Sequence, residues 1–106
     1  MKLFISADIE GCAGVALTDE THKKESVYQR FAEEMTEEVV AACEAAHEAG
    51  ADEIVVKDGH GDASNIDPLK MPEYGKRSAF SNECKNYGNR YRSVLWCTGS
   101  SYCTCR

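Results

Sequence analysis

The chain has 106 residues, is 42% hydrophobic and 28% charged, and carries a formal net charge of −6 at pH 7. That length fits one domain at most, and the composition is neither that of a disordered chain nor that of a membrane protein. The negative balance argues against nucleic acid as a partner, because affinity there rests on neutralising phosphates.

No apolar run approaches the roughly 20 residues that a membrane helix requires. Asp8 and Glu10 end the first apolar stretch too early for a secretory signal, so no membrane partner and a cytoplasmic location are expected.

Residues 2–8, KLFISAD, read as a strand, with the unbroken apolar run Leu3-Phe4-Ile5 expected where both faces of a sheet are covered. Ile9 to Lys24 reads as a long irregular loop, and loops of that length are often functional. From about Glu25 to Ala49 the pattern is helical. Phe31, Met35, Val39, Ala42, Cys43 and Ala46 form one apolar stripe, and Glu33, Glu34, Glu37, Glu38, Glu44 and Glu48 read as its solvated face. Gly50 stands where a C-terminal helix cap belongs. Residues 53–58, EIVVKD, read as a second strand.

Strand, helix, strand is a βαβ unit with parallel strands. The expected fold is therefore α/β, a fragment of a three-layer-type parallel sheet. A lone βαβ unit leaves both sheet edges open, so residues 1–75 read as part of a larger sheet.

Two short patterns carry chemistry: Asp8-Ile9-Glu10 and Asp58-Gly59-His60. Each lies just past the C-terminal end of an expected strand, the edge where open α/β sheets bind ligands. Residues two apart in an extended segment point the same way, so the pairs Asp8/Glu10 and Asp58/His60 can converge if the strands are neighbours. Carboxylates with an imidazole form a plausible shell for zinc, manganese or magnesium, and a carboxylate can bridge two ions in a hydrolytic site. Each pattern also has a bland reading: Asp58 as the cap of the next turn, and His60 as a loop histidine. His47 reads as structural or solvated. His22 sits in the long loop with nothing to fix it. Cys12 reads as a soft ligand or nucleophile only weakly, since no sequence-adjacent base supports it, and Cys43 reads as core.

Several spaced motifs resemble the DppA-type D-aminopeptidases, the M55 metallopeptidase family. They are Ser6-Ala7-Asp8-Ile9-Glu10-Gly11 with Gly14-Val15, Met35-Thr36-Glu37-Glu38-Val39, Ala49 to Gly61, Asn65-Ile66 and Met71-Pro72-Glu73. The resemblance covers about residues 1–74. It implies a zinc-dependent aminopeptidase that releases N-terminal D-amino acids such as D-alanine from short peptides. It also implies two zinc ions in the complete enzyme and a cytoplasmic homo-oligomer. By matching motifs, Asp8 looks like the carboxylate that bridges the ions, Glu10 and His60 like further metal ligands, and Asp58 like a residue that supports them from behind.

The sequence departs from the family at Val40 and Lys57, where asparagine is usual, and at Cys12. The family takes another zinc-ligand histidine, a zinc-ligand glutamate and a catalytic histidine from farther along a longer chain. Residues 75–106 contain no histidine, and their single acid is Glu83. No catalytic residue is therefore assigned within these 106 residues, and the chain alone is expected to be inactive. The alternative is a non-catalytic truncated product or a small metal-binding domain.

The charge pattern breaks near Gly75. Residues 1–75 carry 17 acidic and 6 basic side chains, whereas residues 76–106 carry 1 and 6. Four of the six cysteines (Cys84, Cys97, Cys103 and Cys105) crowd into this second segment, and periodicity is lost there except at Ser93–Cys97. Residues 1–75 thus read as the amino-terminal part of a peptidase-like domain. Residues 76–106 read as an irregular, cysteine-rich, basic and non-native tail, the product of a reading-frame error or premature end. Its cysteine spacings do not match zinc-finger knuckles.

Overall fold

A computed structural model describes residues 1–78 and 92–96 of the chain, with side chains described for residues 1–75. The cysteines Cys84, Cys97, Cys103 and Cys105, together with Glu83, lie outside the described residues.

Strand β1 (Lys2–Ala7) leads through two 3-10 turns, Ile9–Gly11 and Thr18–Thr21, into helix α1 (Tyr28–Glu48). Strand β2 (Glu53–Asp58) follows, then β3 (Gly75–Ser78) and β4 (Arg92–Trp96). The four strands form one parallel sheet in the order β3-β2-β1-β4. The α/β parallel-sheet fold is as expected, and it is wider than the two strands legible in the sequence. The segment after Gly75 supplies β4, beginning one residue before the Ser93–Cys97 run, and most of β3. Strand order reverses at β1, which lies between β2 on one side and β4 on the other. In open α/β sheets such a reversal leaves a ligand crevice at the strands' C-terminal ends.

Alternation along the strands sorts the core. Leu3, Ile5 and Ala7 of β1, with Ile54 and Val56 of β2, pack with Phe31, Met35, Val39, Cys43 and Ala46 of α1. Met35, Cys43, Ile5 and Val56 are fully buried. The helical stripe is wider than its apolar residues suggest, since Tyr28 and Thr36 are also buried. The Thr36 hydroxyl donates to the Ala32 carbonyl at 2.9 Å and accepts the Asp67 amide at 3.1 Å.

The helix ends at the expected glycine. Gly50 adopts φ +87, its amide reaching His47 O at 2.9 Å and the Ala51 amide reaching Ala46 O at 2.9 Å. That pair of bonds is a Schellman cap. Register pairs Lys2 with Glu53 and Ala7 with Asp58, so β1 and β2 end side by side and release their following loops at one edge. Among the described residues, no helix is long and apolar enough to cross a membrane.

Candidate metal centre

The end of β1 turns sharply. Asp8 is still extended, with φ −132 and ψ 135, and the turn Ile9–Gly11 follows it directly. Ile9 is fully buried and anchors that turn, while Glu10 emerges beside Asp8. The rest of the long loop is pinned by carboxylates. Glu38 of α1 accepts the Ala13 amide at 2.7 Å. Glu20 accepts the amides of Ala16 and Leu17 at 2.7 and 2.8 Å. Glu38 thus does more than solvate a helix face: it ties the Glu10 loop to the helix.

The end of β2 is built differently. The Gly59 amide donates to Ala7 O at 2.7 Å, and a Cβ at Gly59 would meet that same oxygen at 2.9 Å, closer than real Cβ atoms come. Only glycine lets the loop lie this close to β1. Asp58 is 1% exposed and turns inward. Its Oδ2 accepts the amides of Asn65 and Ile66 at 2.7 and 2.9 Å. Its Oδ1 accepts the Asn65 side-chain amide at 2.8 Å and a longer bond from the His60 amide at 3.4 Å. Between these anchors Ala63 takes the left-handed conformation, φ 60. The loop from Gly59 to Ile66 is thereby wound around one buried carboxylate, with His60 at its outer bend.

Asp8, Glu10 and His60 converge, with one ligand atom from each lying within 4.8 Å of the others. His60 Nδ1 is 3.1 Å from Asp8 Oδ1 and 3.1 Å from Glu10 Oε2. On the other side of the ring, Nε2 is 2.8 Å from the Thr21 carbonyl. A carbonyl only accepts, so Nε2 carries a proton and donates it to Thr21. In the neutral ring the lone pair then sits on Nδ1 and faces the carboxylates. Fixing one imidazole nitrogen by a hydrogen bond is the usual way a protein selects the nitrogen that meets a metal.

Electrostatics agree with a site that is short of positive charge. Burial, then the hydrogen bond and charge of Glu10, push Asp8 up to about 6, against the opposing pull of His60. For Glu10, burial acts upward too, but the hydrogen bond from Asp8 and the proximity of His60 outweigh it and hold the carboxyl below its ordinary range. One proton is in effect shared by the two acids and rests on Asp8. The donor set of two carboxylates and one correctly protonated imidazole fits zinc, whose N and O ligands lie about 2.0–2.2 Å from the ion.

Asp58 does not join this cluster; it stands beneath the loop that presents His60. Cys12 does not join it either. It is buried, its Sγ lies 3.6 Å from the Asp8 carbonyl, and burial followed by the charges of Glu38, Asp8 and Glu10 pushes the thiol up to about 12. It is neither a ready nucleophile nor a ready ligand. Cys43 is core, as expected, and its thiol is raised to about 11, first by burial. His47 stacks on Tyr74 with centroids 4.1 Å apart. His22 is exposed and lines two clefts. One, of about 390 Å³, opens beside His60, Thr21 and Lys24. The other, of about 360 Å³, opens beside Glu10, Val15 and Leu17. A cleft of about 500 Å³ along α1 contains none of the three converging residues.

Sequence reasoning missed the Thr21 carbonyl, the Glu38 tie and the roles of Tyr28 and Asn65. The Tyr28 hydroxyl donates to Asn65 Oδ1 at 2.5 Å, and Asn65 Nδ2 donates to the His60 carbonyl at 2.6 Å. A lone Asn in a polar loop carries no signal of such a task.

The model of the M55 peptidase family, described as D-aminopeptidase, matches residues 1–77. Among solved structures, the chain is similar to the Zn-dependent D-aminopeptidase DppA from Bacillus subtilis, a self-compartmentalizing protease. The TM-score is 0.73 and the identity 26%, over 79% of this chain and 31% of that one. No curated protein matches the chain.

Proposed function

The chain belongs to the D-aminopeptidase family of M55 peptidases, and from that premise we propose that it is the amino-terminal, metal-binding part of a zinc-dependent aminopeptidase acting on short peptides with an N-terminal D-amino acid such as D-alanine. The observation that carries this reading is the convergence of Asp8, Glu10 and His60 within 4.8 Å at the C-terminal edge of a parallel sheet. The chain spans 31% of the length of the solved relative, so activity, substrate and assembly belong to the proposal.

In this reading Asp8, Glu10 and His60 would hold zinc, with two ions in the complete enzyme. Zinc, when bound, supplies a Lewis acid that polarises a carbonyl and makes water more acidic. The chain's own residues do the rest of what lies within it. The two carboxylates supply the negative charge that a cation would require. The Thr21 carbonyl keeps the Nε2 proton on His60, which leaves Nδ1 free to coordinate. Asp58 holds the loop that carries His60. The clefts on either side of the cluster offer room for the two ends of a short peptide. A cytoplasmic location and an assembly of identical chains complete the proposal. The second of these is supported by the description of the solved relative as self-compartmentalizing.

Residues 1–75 are the part we assign to the peptidase domain, and 76–106 we read as a tail of frameshifted origin, of which 76–78 and 92–96 nevertheless pair into the sheet. The reading is supported by the charge break at Gly75 and by a family match that ends at residue 77. Translating the coding DNA from the Gly75 codon in all three frames tests it. A second frame that supplies a histidine and a glutamate in strand context is the expected result.

Zinc content and turnover test the function. Stoichiometric zinc bound by the chain and lost in Asp8→Ala is expected, with D-alanyl peptide cleavage restored only when the remaining family segments are present. A chain that binds zinc in none of these forms sinks the metallopeptidase reading. Zinc binding without turnover in any longer form favours the non-catalytic alternative.

A further inference from the structure

Asn65 is 6% exposed, and both N–H groups and the carbonyl oxygen of its side chain are hydrogen-bonded. Its Nδ2 donates to Asp58 Oδ1 at 2.8 Å and to the His60 carbonyl at 2.6 Å, while its Oδ1 accepts the Tyr28 hydroxyl at 2.5 Å. Its backbone amide donates to Asp58 Oδ2 at 2.7 Å. The chemistry fixes which way the amide faces. A carboxylate and a carbonyl both accept, so the NH₂ end must meet Asp58 and His60. The carbonyl end is left for Tyr28, whose hydroxyl must then donate.

No other side chain of this size can make these contacts. An acid would set a second carboxylate against Asp58, and an apolar residue would leave the His60 carbonyl with the Ala63 amide alone and Asp58 Oδ1 with only the long bond from the His60 amide. Tyr28 opens α1 and is itself buried. The chain of contacts therefore runs from the helix, through one amide, to the backbone of His60. The Thr21 carbonyl holds the ring of the same residue from the opposite end.

We infer that Asn65 is the positioning residue of the metal centre: with Tyr28 behind it, it sets the backbone of His60 so that Nδ1 faces Asp8 and Glu10 before any cation arrives. This rests on the reading of Asp8, Glu10 and His60 as the metal ligands. Asn65 touches no reacting atom in this scheme. Its contribution is preorganisation, and residues that support a metal ligand in this way commonly govern 10–100-fold of metal affinity.

The test uses the full 106-residue chain and its Asn65→Ala, Tyr28→Phe and Val39→Ala variants. Zinc affinity is measured by competition with a chromophoric chelator, and the backbone amide of His60 is followed by NMR in the metal-free chain. Val39→Ala opens a core cavity away from the loop and reports what general loosening does. Expected are a zinc affinity about 10–100-fold weaker in Asn65→Ala, a few-fold weaker in Tyr28→Phe, and unchanged in Val39→Ala. The metal-free Asn65→Ala chain should also show the His60 backbone averaging over several conformations, where the parent shows one.

Should Asn65→Ala fail to fold, Tyr28→Phe carries the test, since it removes one oxygen and keeps the ring. Affinity within two-fold of the parent in both variants overturns the inference, and so does an equal loss in all three. A parent chain that takes up no zinc overturns the ligand reading instead, and the order of the His60 backbone in the metal-free variants then decides the positioning role by itself.

Discussion

Asp58 is the register partner of Ala7, the residue before Asp8, so the two acids stand side by side at the ends of parallel strands, each followed two residues later by a second polar ligand type. They do opposite things. Asp8 is partly exposed, faces Glu10 and His60, and holds a proton up to about 6, first because of burial and then because of Glu10. Asp58 is buried and spends both oxygens on N–H groups of the loop that follows it. What separates them is the next stretch of chain. After Asp8 comes a tight turn that satisfies its own amides. After Asp58 comes a wide loop with one such bond, Ala63 to His60, whose Asn65 and Ile66 amides take their acceptor from the acid. An acid at a strand end becomes a ligand when the following backbone does not need it, and a scaffold when it does.

The comparison breaks most visibly by deleting each acid. Asp58→Ala takes away the acceptor of the Asn65 and Ile66 amides and one of the two acceptors of the Asn65 side chain, each lost partner costing about 1–3 kcal/mol. Chemical denaturation should show the variant less stable by about 3 kcal/mol or more, or unfolded. Asp8→Ala removes a carboxylate that repels its neighbour, so the metal-free fold should keep its stability to within about 1 kcal/mol while zinc affinity drops by about 100-fold or more. If Asp8→Ala unfolds the chain and Asp58→Ala does not, the two roles are reversed.

Gly59→Ala sharpens the contrast, because it perturbs the scaffold without touching its acid. The added methyl meets Ala7 O, a backbone atom of the central strand that cannot swing aside. A stability loss of about 1–3 kcal/mol is expected from thermal unfolding, with zinc affinity falling too because His60 is displaced.

The pH dependence of the metal-free chain gives a smaller effect with a definite sign. Asp8 holds its proton in the folded state up to about 6 but releases it near 3.8 when unfolded. The folded chain therefore binds more protons between those values, and stability should fall as pH rises from about 4 to about 6, then level off. Glu10 is shifted the other way and acts below this window. Asp8→Asn should flatten the profile between pH 4 and 6. A profile that rises through that window in the parent chain would exclude the shared proton.

Much of this fold could be read in advance because it rests on side-chain pattern. β1, α1 and β2 bury recurrent apolar residues, and Gly50 announced the helix end through the left-handed turn only it takes easily. β3 escaped notice because Gly75-Lys76-Arg77-Ser78 joins the sheet through backbone pairing, which leaves no apolar signature. Strand-end logic brought Asp8, Glu10, Asp58 and His60 to one edge, and only the family resemblance set Asp58 apart from the other three. The acceptor that fixes the His60 tautomer was not legible, since a carbonyl belongs to every residue and Thr21 advertises nothing. Asp58 sits between these cases: its turn-capping and supporting readings were both on hand, and both describe the same four bonds.

Ala63 has a use beyond explaining the loop. A residue with a Cβ at φ 60 carries strain of about 1–2 kcal/mol that glycine would not, partly offset by glycine's greater freedom when unfolded. Ala63→Gly should raise the midpoint of thermal unfolding slightly, by about 0.5–1 kcal/mol in stability. For anyone producing this chain, that position is where sturdiness can be engineered without disturbing a single contact to Asp8, Glu10 or His60.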